Sequence, residues 1–216
     1  MLSSENLFDN ICNDLYQQGY SIQLNSLPED LVQALYQRIS SLEASELKKA
    51  GIGKEANYLR KESIRRNKIH WIEGKTLAEK QWLHWLETMQ TQINRRLFLG
   101  LYNYESHFAV YQTGDFYKKH LDAFQGDNNR KLSVVTYLNP EWDADNGGEL
   151  VLFEATDKNT DWQNTPILTK IAPQFGCTVI FLSEDFPHEV LPTQQLRYSI
   201  ATWFRLNQGE ANLLCN

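Results

Sequence analysis

A chain of 216 residues with 42% hydrophobic content is long enough for one sizeable core and short for two, so a single domain over 1–216 is expected. No run approaches the roughly 18 consecutive apolar residues of a membrane span, and the opening MLSSENLFDN lacks the basic then apolar pattern of a secretory signal, so no membrane partner is expected. The formal net charge of −6 removes the simplest case for a nucleic-acid partner, and three scattered cysteines (Cys12, Cys177, Cys215) argue against a disulfide framework and for a reducing, cytoplasmic setting.

Residues 1–100 read mainly as supporting helices. Leu7, Ile11 and Leu15 recur every four residues and are closed by Gly19, the pattern of one buried helix face ending at a glycine. A second helix is predicted after Ser26, where Ser26 and Glu29 have capping-box spacing and Leu31, Leu35, Ile39 and Leu42 form the stripe. From Lys54 to Lys68 the sequence KEANYLRKESIRRNK carries six basic residues against two acidic. It reads either as a solvated connection or as a mobile loop over an acidic partner. A third helix is predicted over about Leu77 to Leu99, with Trp82, Leu86, Met89, Ile93 and Leu97 on one face.

After Tyr104 the pattern changes to short β-rich runs: LSVVTYL (132–138), GELVLF (148–153), CTVIFL (177–182) and RYSIATWF (197–204). Turn clusters separate them, notably Asp145-Asn146-Gly147-Gly148. Short strands with turns and no intervening helices predict an antiparallel sandwich or barrel over 101–207. A double-stranded β-helix, or jelly roll, buttressed by the N-terminal helices, is the expected architecture.

Residues two apart on a strand share a face, so His120 and Asp122 in YKKHLDAF can both reach inward as metal ligands. Alone, His-x-Asp is a weak signal. His188 in FPHEVLP can complete the set, because a later strand of a rolled barrel returns to the mouth where the first two sit. Two imidazoles and one carboxylate on one face leave neighbouring positions open, which suits non-haem iron(II) activating dioxygen. His70, His84 and His107 have no comparable company, and His70 and His84 read as structural. Arg197, nine residues after His188, lies inside the apolar run LRYSIATWF. A buried guanidinium there needs an anion, either a protein carboxylate or a bound one, unless Arg197 sits at the strand's exposed edge.

With these residues in place the chain resembles the prolyl hydroxylases of the iron(II)/2-oxoglutarate oxygenase superfamily, in particular bacterial relatives of the oxygen-sensing enzymes. The matching segments are KIHWIEGK (68–75), YLNPEWDADNGGELVLF (137–153), FPHEVLP (186–192) and RYSIATW (197–203). The resemblance implies that Arg197 and Tyr137 hold the distal carboxylate of 2-oxoglutarate, with Tyr111 also at the cosubstrate and Leu150, Val190 and Trp203 walling its pocket. It implies Tyr117, Arg130 and Trp71 on the substrate's approach, and Arg65 and Arg66 of the basic segment are added as candidate substrate contacts. Iron(II), 2-oxoglutarate and dioxygen are the implied cofactor and cosubstrates, with ascorbate as an optional reductant. The implied reaction is 4-hydroxylation of a proline residue in a protein, elongation factor Tu being a family-level candidate. A small-molecule or free amino acid hydroxylase on the same scaffold, and a non-catalytic metal- or ligand-binding sensor module, are the alternatives. Two residues depart from the sensors' pattern: Asn67 where they carry Asp, and Ala201 where they carry Thr. Ser199 fits the wider Arg-x-Ser pattern, and a carboxylate at Asp122 favours hydroxylation over halogenation.

Overall fold

The structure is a computed structural model and describes residues 4–49, 63–123, 129–156 and 161–207. Among these the elements run α1 (Ser4–Gln18), β1 (Tyr20–Gln23), α2 (Glu29–Ser40), β2 (Lys48–Lys49), β3 (Lys68–Trp71), α3 (Leu77–Leu97) and β4 (Leu101–Tyr111). They continue with β5 (Tyr117–His120), β6 (Arg130–Tyr137), β7 (Leu150–Phe153), β8 (Ile167–Ile171), β9 (Thr178–Leu182), β10 (His188–Val190) and β11 (Arg197–Leu206).

The strands form two antiparallel sheets, ordered β1-β9-β6-β11-β4-β3-β2 and β5-β10-β7-β8. Alternation along each strand divides its side chains between two environments. Phe108, Val134, Ile180, Ile200 and Phe204 face the helices and join Ile11, Leu35, Trp82, Leu86, Met89 and Ile93 in one buried cluster. Their neighbours Ala109, Tyr137, Val179 and Phe181 join Leu150, Leu152, Ile171 and Val190 of the smaller sheet in a second cluster. This is the jelly roll buttressed by helices that the sequence predicts. Each fully buried large side chain contributes about 1.5–3 kcal/mol, so the helical layer is the main source of stability for that face. Trp82 fills it without an unpaired indole: its Nε1–H donates to Ser106 Oγ at 3.0 Å, and Ser106 shares a 2.7 Å bond with Thr202.

The described part of 1–100 holds α1, α2 and α3, and its short strands β1, β2 and β3 join the seven-stranded sheet. Two local readings are corrected. Ser26 does not cap α2. Its hydroxyl is turned to Gly176 O and Thr178 Oγ1 of the sheet, and Pro28 stands at the N-cap with no side-chain bond. The third helix stops at Leu97, since Phe98 adopts φ 52° and ends the repeat. Gly19, by contrast, follows α1 as predicted, at φ +79°. The segment expected to be a mobile loop over 54–67 falls largely outside the described residues, which resume at residue 63.

Candidate active site

Strand pairing assembles the site. His188 of β10 lies opposite His120 of β5 on one side and Leu152 of β7 on the other. Asp122, two residues past His120, closes the group: His120 Nε2 is 3.6 Å from one carboxylate oxygen and His188 Nε2 is 3.4 Å from the other. One ligand atom from each of the three lies within 4.8 Å of the rest. Both rings are oriented through Nδ1, His120 against Lys118 O at 2.7 Å and His188 against Phe186 O at 3.1 Å. A backbone acceptor at Nδ1 fixes the tautomer that leaves Nε2 free for a metal. Ser133 donates to Asp122 at 2.7 Å and is itself bonded to Ser183, a support that no sequence motif announces.

The ionisation states suit a cation. Burial opposes charge on Asp122, but His188, His120 and Arg130 outweigh it and hold the carboxyl well below the usual carboxylate range. Burial, reinforced by His120, pushes His188 down to about 4, so its imidazole is neutral near pH 7.

Tyr117 stacks face to face on His120, with ring centres 3.5 Å apart, and the Arg65 guanidinium covers its other face at 4.5 Å. Arg65 is held in turn by Asn67 Oδ1 at 2.6 Å. This column packs one side of a metal ligand, and burial pushes the Tyr117 phenol up to about 12.

At the other end lies Arg197, 1% exposed, opposite Tyr111 in the β11–β4 register. Its Nε donates to Gly148 O at 2.8 Å and its Nη1 to Ser199 Oγ at 3.2 Å. Gly148, at φ +67°, must be glycine: a Cβ would lie 3.1 Å from both Arg197 Cδ and the Thr193 side chain. Arg197 Nη2 and the Tyr137 hydroxyl are buried without a hydrogen-bond partner of regular geometry. Among the described residues no carboxylate pairs with this guanidinium. Burial raises the Tyr137 phenol, which therefore keeps its proton as a donor. Two converging donors around a buried positive charge fit a carboxylate.

One cavity joins the two ends. Its lining includes the His-Asp-His group, Arg197, Tyr111, Leu150, Val190, Trp203, Tyr117 and Arg65. Three of the expected substrate residues stand back from it. Arg130 stacks on Trp203 at 3.8 Å and donates to Glu105 at 2.9 Å. Trp71 is 41% exposed beyond His107, and Arg66 covers Phe116 at 5.0 Å. His70 bonds Glu46 O and Arg38, and His84 sits by Glu87 on the surface, as structural histidines do.

Residues 106–205 match the model of the 2OG-Fe(II) oxygenase superfamily. A crystal structure of a Pseudomonas putida prolyl-4-hydroxylase is 38% identical and superposes with a TM-score of 0.79, covering 93% of this chain and 99% of that one. The chain belongs to the 2OG-Fe(II) oxygenase superfamily. A Trichoplax adhaerens prolyl hydroxylase, solved with a peptide fragment of the hypoxia-inducible factor oxygen degradation domain, is 27% identical at TM-score 0.79 over 94% of this chain and 90% of that one. Egl nine homolog 1 of Rattus norvegicus is 31% identical over 150 residues, 65% of this chain. The matched region spans only 41% of that relative's own length. The 2OG-Fe(II) oxygenases use iron(II), 2-oxoglutarate and dioxygen, and its homologues here are prolyl hydroxylases.

Proposed function

We propose that this chain is an iron(II)- and 2-oxoglutarate-dependent prolyl 4-hydroxylase acting on a proline residue within a protein, with elongation factor Tu as the candidate target. The carrying observation is Arg197, buried with Nη2 unmatched at one end of a cavity whose lining also holds His120, Asp122 and His188, with the Tyr137 ring 5.1 Å from its guanidinium and the Tyr137 hydroxyl likewise unmatched. His120, Asp122 and His188 would hold iron(II), and Arg197 with Tyr137 would hold the distal carboxylate of 2-oxoglutarate. When bound together with dioxygen, this pair supplies oxidative decarboxylation to succinate and carbon dioxide, coupled to hydroxylation of a C–H bond.

The protein's own residues orient and insulate. Lys118 O, Phe186 O and Ser133 fix the three ligands, while Tyr117 shields one face of His120. Leu150 and Val190 are buried and exclude water from the cavity. The likeness to the Pseudomonas putida enzyme over nearly its whole length, and to an enzyme solved with a peptide, supports a peptidyl proline as substrate.

Succinate formation with iron(II) and 2-oxoglutarate, followed by mass spectrometry of purified elongation factor Tu, tests the proposal. A proline gaining about 16 daltons, one oxygen atom, is expected. Turnover with free L-proline but not with the protein would favour the small-molecule reading, and no succinate under any condition would favour a non-catalytic binding module.

A further inference from the structure

His107 lines the cavity but has no part in the site just described. Along β4, Tyr111, Ala109 and His107 pair with Arg197, Ser199 and Ala201 of β11, and all six line the cavity. Four residues at about 3.3 Å each put the His107–Ala201 rung about 13 Å from the Arg197–Tyr111 rung. 2-Oxoglutarate has four C–C bonds of about 1.5 Å and spans roughly 5 Å, so a molecule anchored at Arg197 does not reach His107. His107 therefore borders the part of the cavity left for the substrate.

Its environment is unusual for a histidine. The side chain is 1% exposed, and neither Nδ1 nor Nε2 has a hydrogen-bond partner. Trp71 meets the ring edge-on at 5.1 Å and Trp203 lies tilted against it at 5.2 Å. An unmatched buried polar group is costly, and Leu at the same place would avoid that cost, so packing alone does not account for an imidazole. Burial, with Arg65 and Arg130 outweighing Asp122, holds the ring neutral. A neutral imidazole presents one N–H and one lone pair.

We propose that His107 is a specificity-determining residue whose ring hydrogen-bonds a main-chain amide of the substrate beside the reacting residue, so that the cavity selects a residue within a peptide over the free amino acid. The inference rests on the hydroxylase reading above. A peptide amide offers a donor and an acceptor without net charge, matching what a neutral ring between two indoles can satisfy. A free amino acid would bring an ammonium and a carboxylate into the same slot and desolvate both against a neutral partner. Trp203, which lines the cavity beside His107, supplies flat apolar surface on which a pyrrolidine ring can lie.

The test uses the full chain loaded with zinc(II) in place of iron and with 2-oxoglutarate. Its histidine ring nitrogens are followed by ¹⁵N NMR during titration with N-acetyl-L-proline methylamide, a blocked proline with an amide on each side, and with L-proline. His107 signals are expected to shift saturably with the blocked compound and not with L-proline. In His107→Leu, affinity for the blocked compound should fall roughly tenfold, the worth of a buried hydrogen bond, with 2-oxoglutarate affinity within about twofold. Its melting temperature should be no lower, because an unmatched polar group has been removed. His107→Asn should recover part of the binding. Unmoved ring signals, equal responses to blocked and free proline, or a variant that loses stability without losing affinity would each overturn the proposal. A wild-type enzyme that forms no succinate would instead remove the hydroxylase reading and leave the binding result to stand.

Discussion

The two faces of the seven-stranded sheet are built from alternate residues of the same strands, yet they obey different rules. On the helix-facing side, Phe108, Ile200 and Phe204 pack among Leu86, Met89 and Ile93, and the fully buried Trp82 has its N–H satisfied by Ser106. On the inner side, one residue along, Tyr137, Arg197 and His107 are as deeply buried but leave polar atoms unmatched. Because an unmatched buried group is costly, a face that carries three of them is shaped for a partner that the folded chain itself does not supply. Stability resides on one face and recognition on the other.

The sharpest way to break that division is Asp122→Ala, which removes the carboxylate between two imidazoles. Succinate formation should fall at least about a hundredfold, with the melting temperature little changed. If thermal stability collapsed with activity, the inner face would be structural after all. Phe108→Ala reverses the test on the outer face: it should cost about 3–5 kcal/mol in denaturant unfolding, while the Michaelis constant for 2-oxoglutarate stays at the wild-type value. Arg197→Met should weaken 2-oxoglutarate at least about tenfold by calorimetry, a charged hydrogen bond being worth roughly 1.5–3 kcal/mol. An unchanged titration would assign the distal carboxylate to another cation.

A smaller effect concerns pH and metal-free protein. His188, at about 4, and His107, also lowered, are both neutral in the fold and regain their ordinary basicity on unfolding. The unfolded chain then binds more protons, so the stability these rings contribute is complete above their ordinary value of 6.5 and is lost as pH falls below it, for His188 toward about 4. The slope is about 1.4 kcal/mol per pH unit for each ring. Urea melts followed below pH 6.5 should show a shallower slope in His107→Leu. Parallel slopes in the two proteins would mean that His107 is already protonated in the fold.

Sequence revealed the parts of each face that follow a period or a spacing. The stripes Ile11/Leu15, Leu35/Ile39 and Leu86/Met89/Ile93 mark helix faces because packing demands apolar side chains every three or four residues, and those residues form the outer core. His120, Asp122, His188 and Arg197 stood out because their chemistry is expensive to bury, and the structure brings all four to one cavity. What spacing could not convey is contact between distant segments. Ser133 beneath Asp122 and the Arg65–Tyr117–His120 column depend on which strands become neighbours, and neither carries a local motif. His107 was passed over for the same reason: a lone histidine in SHFAVY looks ordinary until Trp71 and Trp203, from two other strands, are found against it. Ser26 misled because its capping spacing was real while a tertiary partner, Thr178, took the hydroxyl.

The most direct test is calorimetric titration of 2-oxoglutarate into anaerobic protein with and without iron(II), in the wild type and in Tyr137→Phe, which removes a single buried donor and keeps the ring. One 2-oxoglutarate per chain should bind in a metal-dependent way, and the Phe variant should bind several-fold more weakly at equal or greater thermal stability. Metal-independent binding, or a Phe variant that loses stability while holding 2-oxoglutarate as before, would contradict the claim that the unmatched inner face is a site for this cosubstrate.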